Sequence, residues 1–469
     1  MINRCNRAAA IGFVLLLSLE CACGDDNLWA RSDSAMVGRS VVGCLTSACH
    51  GSDVPDAPIW QRAGKTWFDQ DPHAQAYTRL LSVDSANIVS RLVHETLLPS
   101  SPAYRQILEE KCVSCHANES APESQRVLGA DCQVCHGNAD AWSSEHYSSQ
   151  RKALGPSRFE NSGRMNMESL VDRARVCNSC HIGELDRGGL DREVDHRLMA
   201  AGHPPMHFDF EDSLRRYPVH WDTSSETIGP GSSMGFERWR IGKISAAISK
   251  LKLLSARADR AKDKKSPTIE WPELTEYNCS DCHHALTHPS RRQSRPAPVI
   301  TPVIAQWDDW CTASLDCALR DTTSSELNDR FLNLKNQIEM IAPDPSLVAI
   351  NADSLRQWLM SELKNVSSES QTSSEILLSK MNTQLESSSR LRNWESAAQW
   401  VMATQVLAEG LGLELLSDAV PLLGIQPMAD KTKTWKPNAN KDPGILSRFK
   451  PDTIENYGNY LQQQLRNRP

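Results

Sequence analysis

Past its first two dozen residues the sequence has no apolar run long enough to cross a membrane. It also lacks a strong excess of either charge. Lys and Arg total 51 against 58 Asp and Glu, a net charge of -7 over 469 residues, and no clustered basic surface suggests a nucleic-acid partner. Two short basic runs, Arg257 to Lys265 and Arg291 to Arg295, are expected to be solvated linkers. There is no phosphate loop, no Ser/His/Asp arrangement and no separate zinc site. Histidine is absent after His288, although the chain continues to Pro469.

The N-terminus reads as an export signal over residues 1–24. Arg4 and Arg7 precede a short apolar run from Ala8 to Leu19, followed by the small residues Cys21, Ala22, Cys23 and Gly24. The run is too short for a mature spanning helix, with cleavage expected near Cys23 or Ala30. Glu20 and the residues before it fit a lipid-attachment box poorly, so anchoring through Cys21 or Cys23 is the weaker reading. The mature chain is expected in the periplasm, with no transmembrane segment.

Cysteine and histidine carry the chemistry. Of 15 Cys, ten fall into five pairs, and a His follows the second Cys of every pair. Four pairs have a two-residue gap: Cys112/Cys115/His116, Cys132/Cys135/His136, Cys177/Cys180/His181 and Cys279/Cys282/His283. The other, Cys44/Cys49/His50, has a four-residue gap. This is the haem c attachment pattern. Two thiols add to the vinyl groups on one porphyrin edge, and the adjacent imidazole binds the iron. Zinc or iron-sulfur sites, or a disulfide framework, would not require a His directly after each pair. About five covalently bound haems c are therefore expected. For Cys44 and Cys49 the competing reading is a local disulfide. Cys311 and Cys317 remain, and a structural disulfide between them fits an exported protein.

Nine other His residues could fill the opposite axial positions. Context favours His73, His146, His196 and His203, followed by His94 and His284. His207, His220 and His288 are expected to be ordinary polar residues. Two His ligands per iron suit electron transfer, whereas an open position permits catalysis.

The fold class expected is mainly α with extensive loops: a multihaem cytochrome c domain over residues 25–290, then a C-terminal helical bundle. A Pro-rich linker is expected over 291–322, a helical domain over 323–430 and an extended tail over 431–469. Helices are predicted from Met167 through Arg175 and from Ile241 to Ala256, the latter with Ile241, Ile244, Ile248 and Leu251 on one face. Thr323 to Glu326 reads as a capping box ahead of Leu327, Phe331, Leu334, Ile338 and Ile341, with a stop at Pro343. Leu355 to Val366, Leu377 to Leu385 and Trp394 to Leu411 mark three further helices.

Over about residues 40–290 the chain resembles the cytochrome c-554 family. The resemblance rests on Gly43 to His50 followed by Pro72-His73-Ala74, on Gly129 to Gly137, on Cys180-His181-Ile182-Gly183, on His196 to Pro204 and on Tyr277 to His284. It implies a periplasmic electron carrier with mostly bis-His haems. The fifth motif, the longer first spacer and the C-terminal extension depart from the tetrahaem type member.

Two functions follow as expectations. One is electron transfer between redox protein partners, including a membrane quinone-linked complex, through closely spaced haems. The other is a multihaem oxidoreductase acting on a small nitrogen or sulfur compound at an open haem. Pentahaem nitrite reductases use Lys at the active haem, and no Cys-x-x-Cys-Lys occurs here. A third reading makes the chain a docking subunit of a larger complex, with its C-terminal helices as the interface.

Overall fold

Short polar caps start the helices and thereby place the motifs. In a computed structural model of the chain, Ser101 accepts from the Tyr104 amide to open the helix Pro102–Lys111, which runs into the turn Val113–His116. Ser169 likewise caps Leu170–His181, so the fourth motif forms the last turn of that helix. Asp131 caps the turn Cys132–His136, Asp195 caps His196–Ala201, and Asp71 caps Pro72–Gln75. Each cap satisfies an orphan backbone N–H and typically contributes about 1 kcal/mol.

The structure describes residues 41–144, 146–148, 162–185, 191–223, 234–262, 270–283, 305–308, 310–319, 324–368, 377–378, 381, 394–413 and 451–467. Residues 1–24, read above as an export signal, lie outside them. Residues from Ala35 to Pro469 form one unit. The architecture is mainly helical. Among the described residues the only β pairings are isolated bridges, Glu184 with Arg192 and Tyr277 with Trp307. No helix among them is long and apolar enough to cross a membrane.

An apolar cluster of Leu80, Val89, Tyr104, Leu108 and Val113 supports the second motif. The helix Leu170–His181 extends the predicted Met167–Arg175 segment through the motif itself, and Ala174 packs on Phe210 and Leu214.

The helix Met234–Ala261 is longer than predicted, and it is buried on nearly all sides rather than on one stripe. Its cations are internal because acceptors meet them. Arg238 pairs with Glu211 at 2.6 Å, Arg240 donates to the Ala318 carbonyl at 2.7 Å, and Lys243 donates to the Trp310 carbonyl at 2.8 Å. Lys250 and Arg257 both pair with the fully buried Glu276. The basic run beginning at Arg257 is thus not a solvated linker. Its described part closes this helix, with Arg257 buried and Arg260 forked onto Asp191 at 2.7 and 2.9 Å.

The C-terminal helices pack on this same element instead of forming a bundle of their own. Ser324–Ile338 packs on Pro345–Ser368, and the latter and Trp394–Gly410 both lie against Met234–Ala261. Hydrogen bonds stitch the two halves together: Tyr277 to the Ile338 carbonyl at 2.8 Å and Trp271 to the Pro343 carbonyl at 2.7 Å. Thr323 of the expected capping box, and most of the Leu377 to Leu385 helix, lie outside the described residues.

Two further expectations are corrected. The described parts of 291–322 are core rather than linker: Trp307, Trp310, Leu315 and Leu319 are buried, because the indoles pack beneath the C-terminal helices. The tail contains the helix Pro451–Arg466 with Leu461 buried, where an extended segment was expected. Proline at the first helical position favours that start, since its missing N–H would be unpaired there anyway.

Candidate functional site

The first motif forms a tight loop rather than a helix. The His50 amide donates to the Cys44 carbonyl at 3.1 Å and the Cys49 amide to the Thr46 carbonyl at 2.9 Å, so the longer spacer is taken up in turns. The Gly64 amide donates to the His50 carbonyl at 2.7 Å, an approach that brings the helix Ile59–Gln70 against the loop. The other four motifs lie on single helical turns or at a helix end.

Each of the five motif His residues faces one other His. His50 faces His146 with ring centres 6.2 Å apart, and His116 faces His203 at 6.5 Å. His136 faces His220 at 6.5 Å, His181 faces His73 at 5.9 Å, and His283 faces His196 at 6.3 Å. An iron with an imidazole nitrogen about 2 Å away on each side puts the two ring centres roughly 6 Å apart. That spacing also suits ordinary aromatic contact, so distance alone does not decide. The matching is one-to-one: among the described residues every motif His meets a different non-motif His, and none is shared.

The tautomers agree. His50 donates from Nδ1 to the Trp60 carbonyl at 2.6 Å, His146 to Ser143 at 2.6 Å, His116 to Ala76 at 3.2 Å, His203 to Pro204 at 2.8 Å and His220 to Pro218 at 3.4 Å. Since each acceptor is a carbonyl, the proton belongs on Nδ1, and Nε2 keeps its lone pair for a metal. Burial pushes His136 and His181 down to about 4 and also lowers His116, His203 and His220, so these rings are neutral near pH 7.

His73 differs. Its Nδ1 lies 2.8 Å from Asp71 Oδ1, and the other carboxylate oxygen accepts from the Tyr217 hydroxyl. Burial lowers His73, and the Asp71 contact more than offsets it, leaving the imidazole above its ordinary value.

His73, His146, His196 and His203, favoured from sequence context, each face a motif His. His220, expected to be an ordinary polar residue, faces His136 instead. Counting offered a signal, since five motifs with two His ligands each would use five partners and only four were favoured. His94 caps the helix Val83–Val93 in the left-handed region, with φ 56°. His207 is packed on Trp310 and Trp394, with ring centres 4.5 and 5.4 Å away. His284 and His288 lie outside the described residues.

The thiols of Cys112, Cys132, Cys177 and Cys279 are raised, burial being the main cause in each. No disulfide joins the described cysteines, Cys44 with Cys49 and Cys311 with Cys317 included. The expected Cys311–Cys317 bridge is therefore corrected. Both residues are buried in the Trp310 region, and burial pushes the Cys311 thiol up to about 12.

The motifs adjoin in a definite order. Cys44 lies near Cys132, Cys135 near Cys177, and Cys180 within hydrogen-bonding reach of Cys115. Tyr217 sits 5.9 Å from both His73 and His220, between the fourth and third pairs. His196 and His203, partners of the fifth and second motifs, flank one short helix. These approaches link the first motif to the third, the third to the fourth, the fourth to the second and, through the helix His196–Ala201, the second to the fifth.

Among the described residues no group of three or more His, Cys, Asp or Glu converges as a metal cage. Two facing imidazoles instead suit a metal whose remaining ligands come from a macrocycle. The donors present thus fit haem c: ten Cys for attachment and ten imidazoles in five facing pairs. In comparisons with known proteins, no family model, no curated protein and no solved structure matches this chain.

Proposed function

We propose that the chain is an exported multihaem c-type cytochrome that carries five covalently attached haems and passes electrons between redox protein partners in the periplasm. The observation that carries this reading is the set of five facing His pairs, one for each Cys-pair motif. Haem c supplies one-electron redox chemistry when bound.

The chain's own residues would do the rest. Cys44 and Cys49, Cys112 and Cys115, Cys132 and Cys135, Cys177 and Cys180, and Cys279 and Cys282 would provide the thioether anchors. His50, His116, His136, His181 and His283 would be the ligands next to them. His146, His203, His220, His73 and His196 would be the opposite ligands. Backbone carbonyls hold five of these imidazole tautomers and a carboxylate holds a sixth, at His73, which fixes each of these rings before a metal is bound.

If each facing pair held an iron, neither face would be open for a substrate, and this supports a carrier over an enzyme. The adjoining motifs support conduction along the order first, third, fourth, second, fifth. Resemblance to the cytochrome c-554 family over about residues 40–290 supports the same reading. The N-terminal basic and apolar pattern supports export, after which a membrane quinone-linked complex is a fitting electron source.

The test is production in a host that matures c-type cytochromes, followed by mass spectrometry and spin-state spectroscopy. A mass increase of five haems with a wholly low-spin oxidised spectrum is expected. An increase of four would refute the role given to Cys44, Cys49 and His50. A high-spin fraction responding to nitrite or hydroxylamine would refute the closed-site carrier. A colourless protein with all its thiols reactive would refute the proposal entirely.

A further inference from the structure

Arg192 is 2% exposed and sits between two attachment peptides. Its Nε donates to the Ser114 carbonyl at 2.8 Å, and its Nη1 donates to Ser179 Oγ at 2.7 Å. Ser114 and Ser179 occupy the same place in their motifs, directly before Cys115 and Cys180. One planar side chain thus bridges the second and fourth motifs at equivalent positions.

The mount is rigid. Arg192 and Glu184 exchange backbone hydrogen bonds at 2.9 and 2.8 Å. Gly183, with φ 121°, allows this approach, because a Cβ there would lie 2.6 Å from the Arg192 carbonyl oxygen. The neighbouring Asp191 carbonyl accepts from Ser114 Oγ at 2.9 Å, and the Asp191 carboxylate is forked by Arg260.

The electrostatics are unusual for a buried guanidinium. Its hydrogen-bond acceptors are neutral, and among the described residues it forms no ion pair; Glu119 and Glu184 act on it only from farther away. Burying a cation without a directly paired anion is costly, so such a charge shapes the field around it. The groups lying beside it are the Cys115 and Cys180 sulfurs. As thioethers these sulfurs would be neutral, leaving only the more distant Glu119 and Glu184 to offset the positive charge next to both porphyrin attachments.

We propose that Arg192 is a positioning residue that clamps the second and fourth haem-binding peptides together and raises the reduction potentials of those two haems above what a neutral residue would give. The inference rests on the haem reading proposed above. A fixed cation favours the iron state of lower positive charge, which is the reduced one. Because the second and fourth sites are adjacent inside the chain of sites, Arg192 would make them the shared resting place for electrons between the two ends.

The experiment compares the matured wild-type protein with Arg192→Gln and Arg192→Lys by spectroelectrochemistry and by electron paramagnetic resonance. In Arg192→Gln, two of the five one-electron steps are expected to fall by about tenfold in reduction equilibrium constant, about 59 mV each, with the other three unmoved. Arg192→Lys keeps the charge but loses the fork, so it should recover most of the potential while still altering the magnetic coupling between the two irons. Five unmoved steps, or five equal shifts, would overturn the inference. Should Arg192→Gln fail to mature, Ser179→Ala removes one contact and keeps the charge; it is expected to change the coupling of the same two irons, and an unchanged spectrum would overturn the clamp. A wild-type protein without five haems would instead overturn the underlying reading, so the two failures are distinguishable.

Discussion

His73 donates from Nδ1 to Asp71 across 2.8 Å, whereas the other five imidazoles described with an Nδ1 partner donate to backbone carbonyls. A carboxylate partner makes the imidazole a stronger donor to iron than a carbonyl does. The fourth site would consequently be pulled toward the oxidised state at its distal face while Arg192 acts oppositely on its attachment side.

Replacing Asp71 with Asn should raise the reduction potential of one haem and leave four unchanged. The expected size is about tenfold in the equilibrium constant, about 59 mV for one electron. Stepwise redox titration checks this. A Tyr217→Phe change, which removes the hydroxyl that donates to the same carboxylate, should move that step in the opposite direction and by less, because the carboxylate then gives more of its charge to His73.

His220→Ala should convert one of five haems to a high-spin form, since His220 is the ring facing His136. His207→Ala should keep a wholly low-spin spectrum but lower thermal stability by about 2–3 kcal/mol, because His207 packs between two indoles. Electron paramagnetic resonance with a melting curve separates the two outcomes.

Glu276 has a carboxyl below its ordinary value of 4.5: burial raises it, and Lys250 and Arg257 pull it down further. Its contribution to stability is therefore complete above pH about 4.5 and is lost as pH falls through the lower value of the folded protein. Glu276→Gln should cost about 3–5 kcal/mol at pH 7, because two buried cations lose their shared partner. Denaturant titrations at several pH values should show a flatter acid limb for this variant than for the wild type.

Gly64→Ala should lower occupancy of the first site only. The Gly64 amide meets the His50 carbonyl, and a Cβ there would lie 2.9 Å from that oxygen while also striking Leu45. Intact mass spectrometry should show a species one haem short.

How much of this was legible in the sequence varies with the range of the interaction. Motif spacing is local chemistry, so the ten Cys and five adjacent His stood out. His73 and His196 stood out from their sequence context, and in the structure Asp71 and Asp195 cap the turns that carry them. His220 did not stand out, since only tertiary folding brings it to His136. The all-round burial of Met234–Ala261 was hidden for a related reason. Arg238, Lys243, Lys250 and Arg257 read as surface residues until Glu211, Trp310 and Glu276 arrive from elsewhere in the chain. The indoles of Trp307 and Trp310 were lost among the prolines that precede them.

Each facing His pair joins stretches of backbone far apart in sequence, as His50 does with His146 and His73 with His181. Because these spans overlap, a metal bridging each pair would lace the polypeptide into interlocked loops of roughly a hundred residues, with an entropic penalty removed from the unfolded chain each time. Maturation would then be cumulative. A chain with one ring missing would lose a lacing point as well as an electron stop, and incompletely loaded molecules should be the ones that proteases clear first.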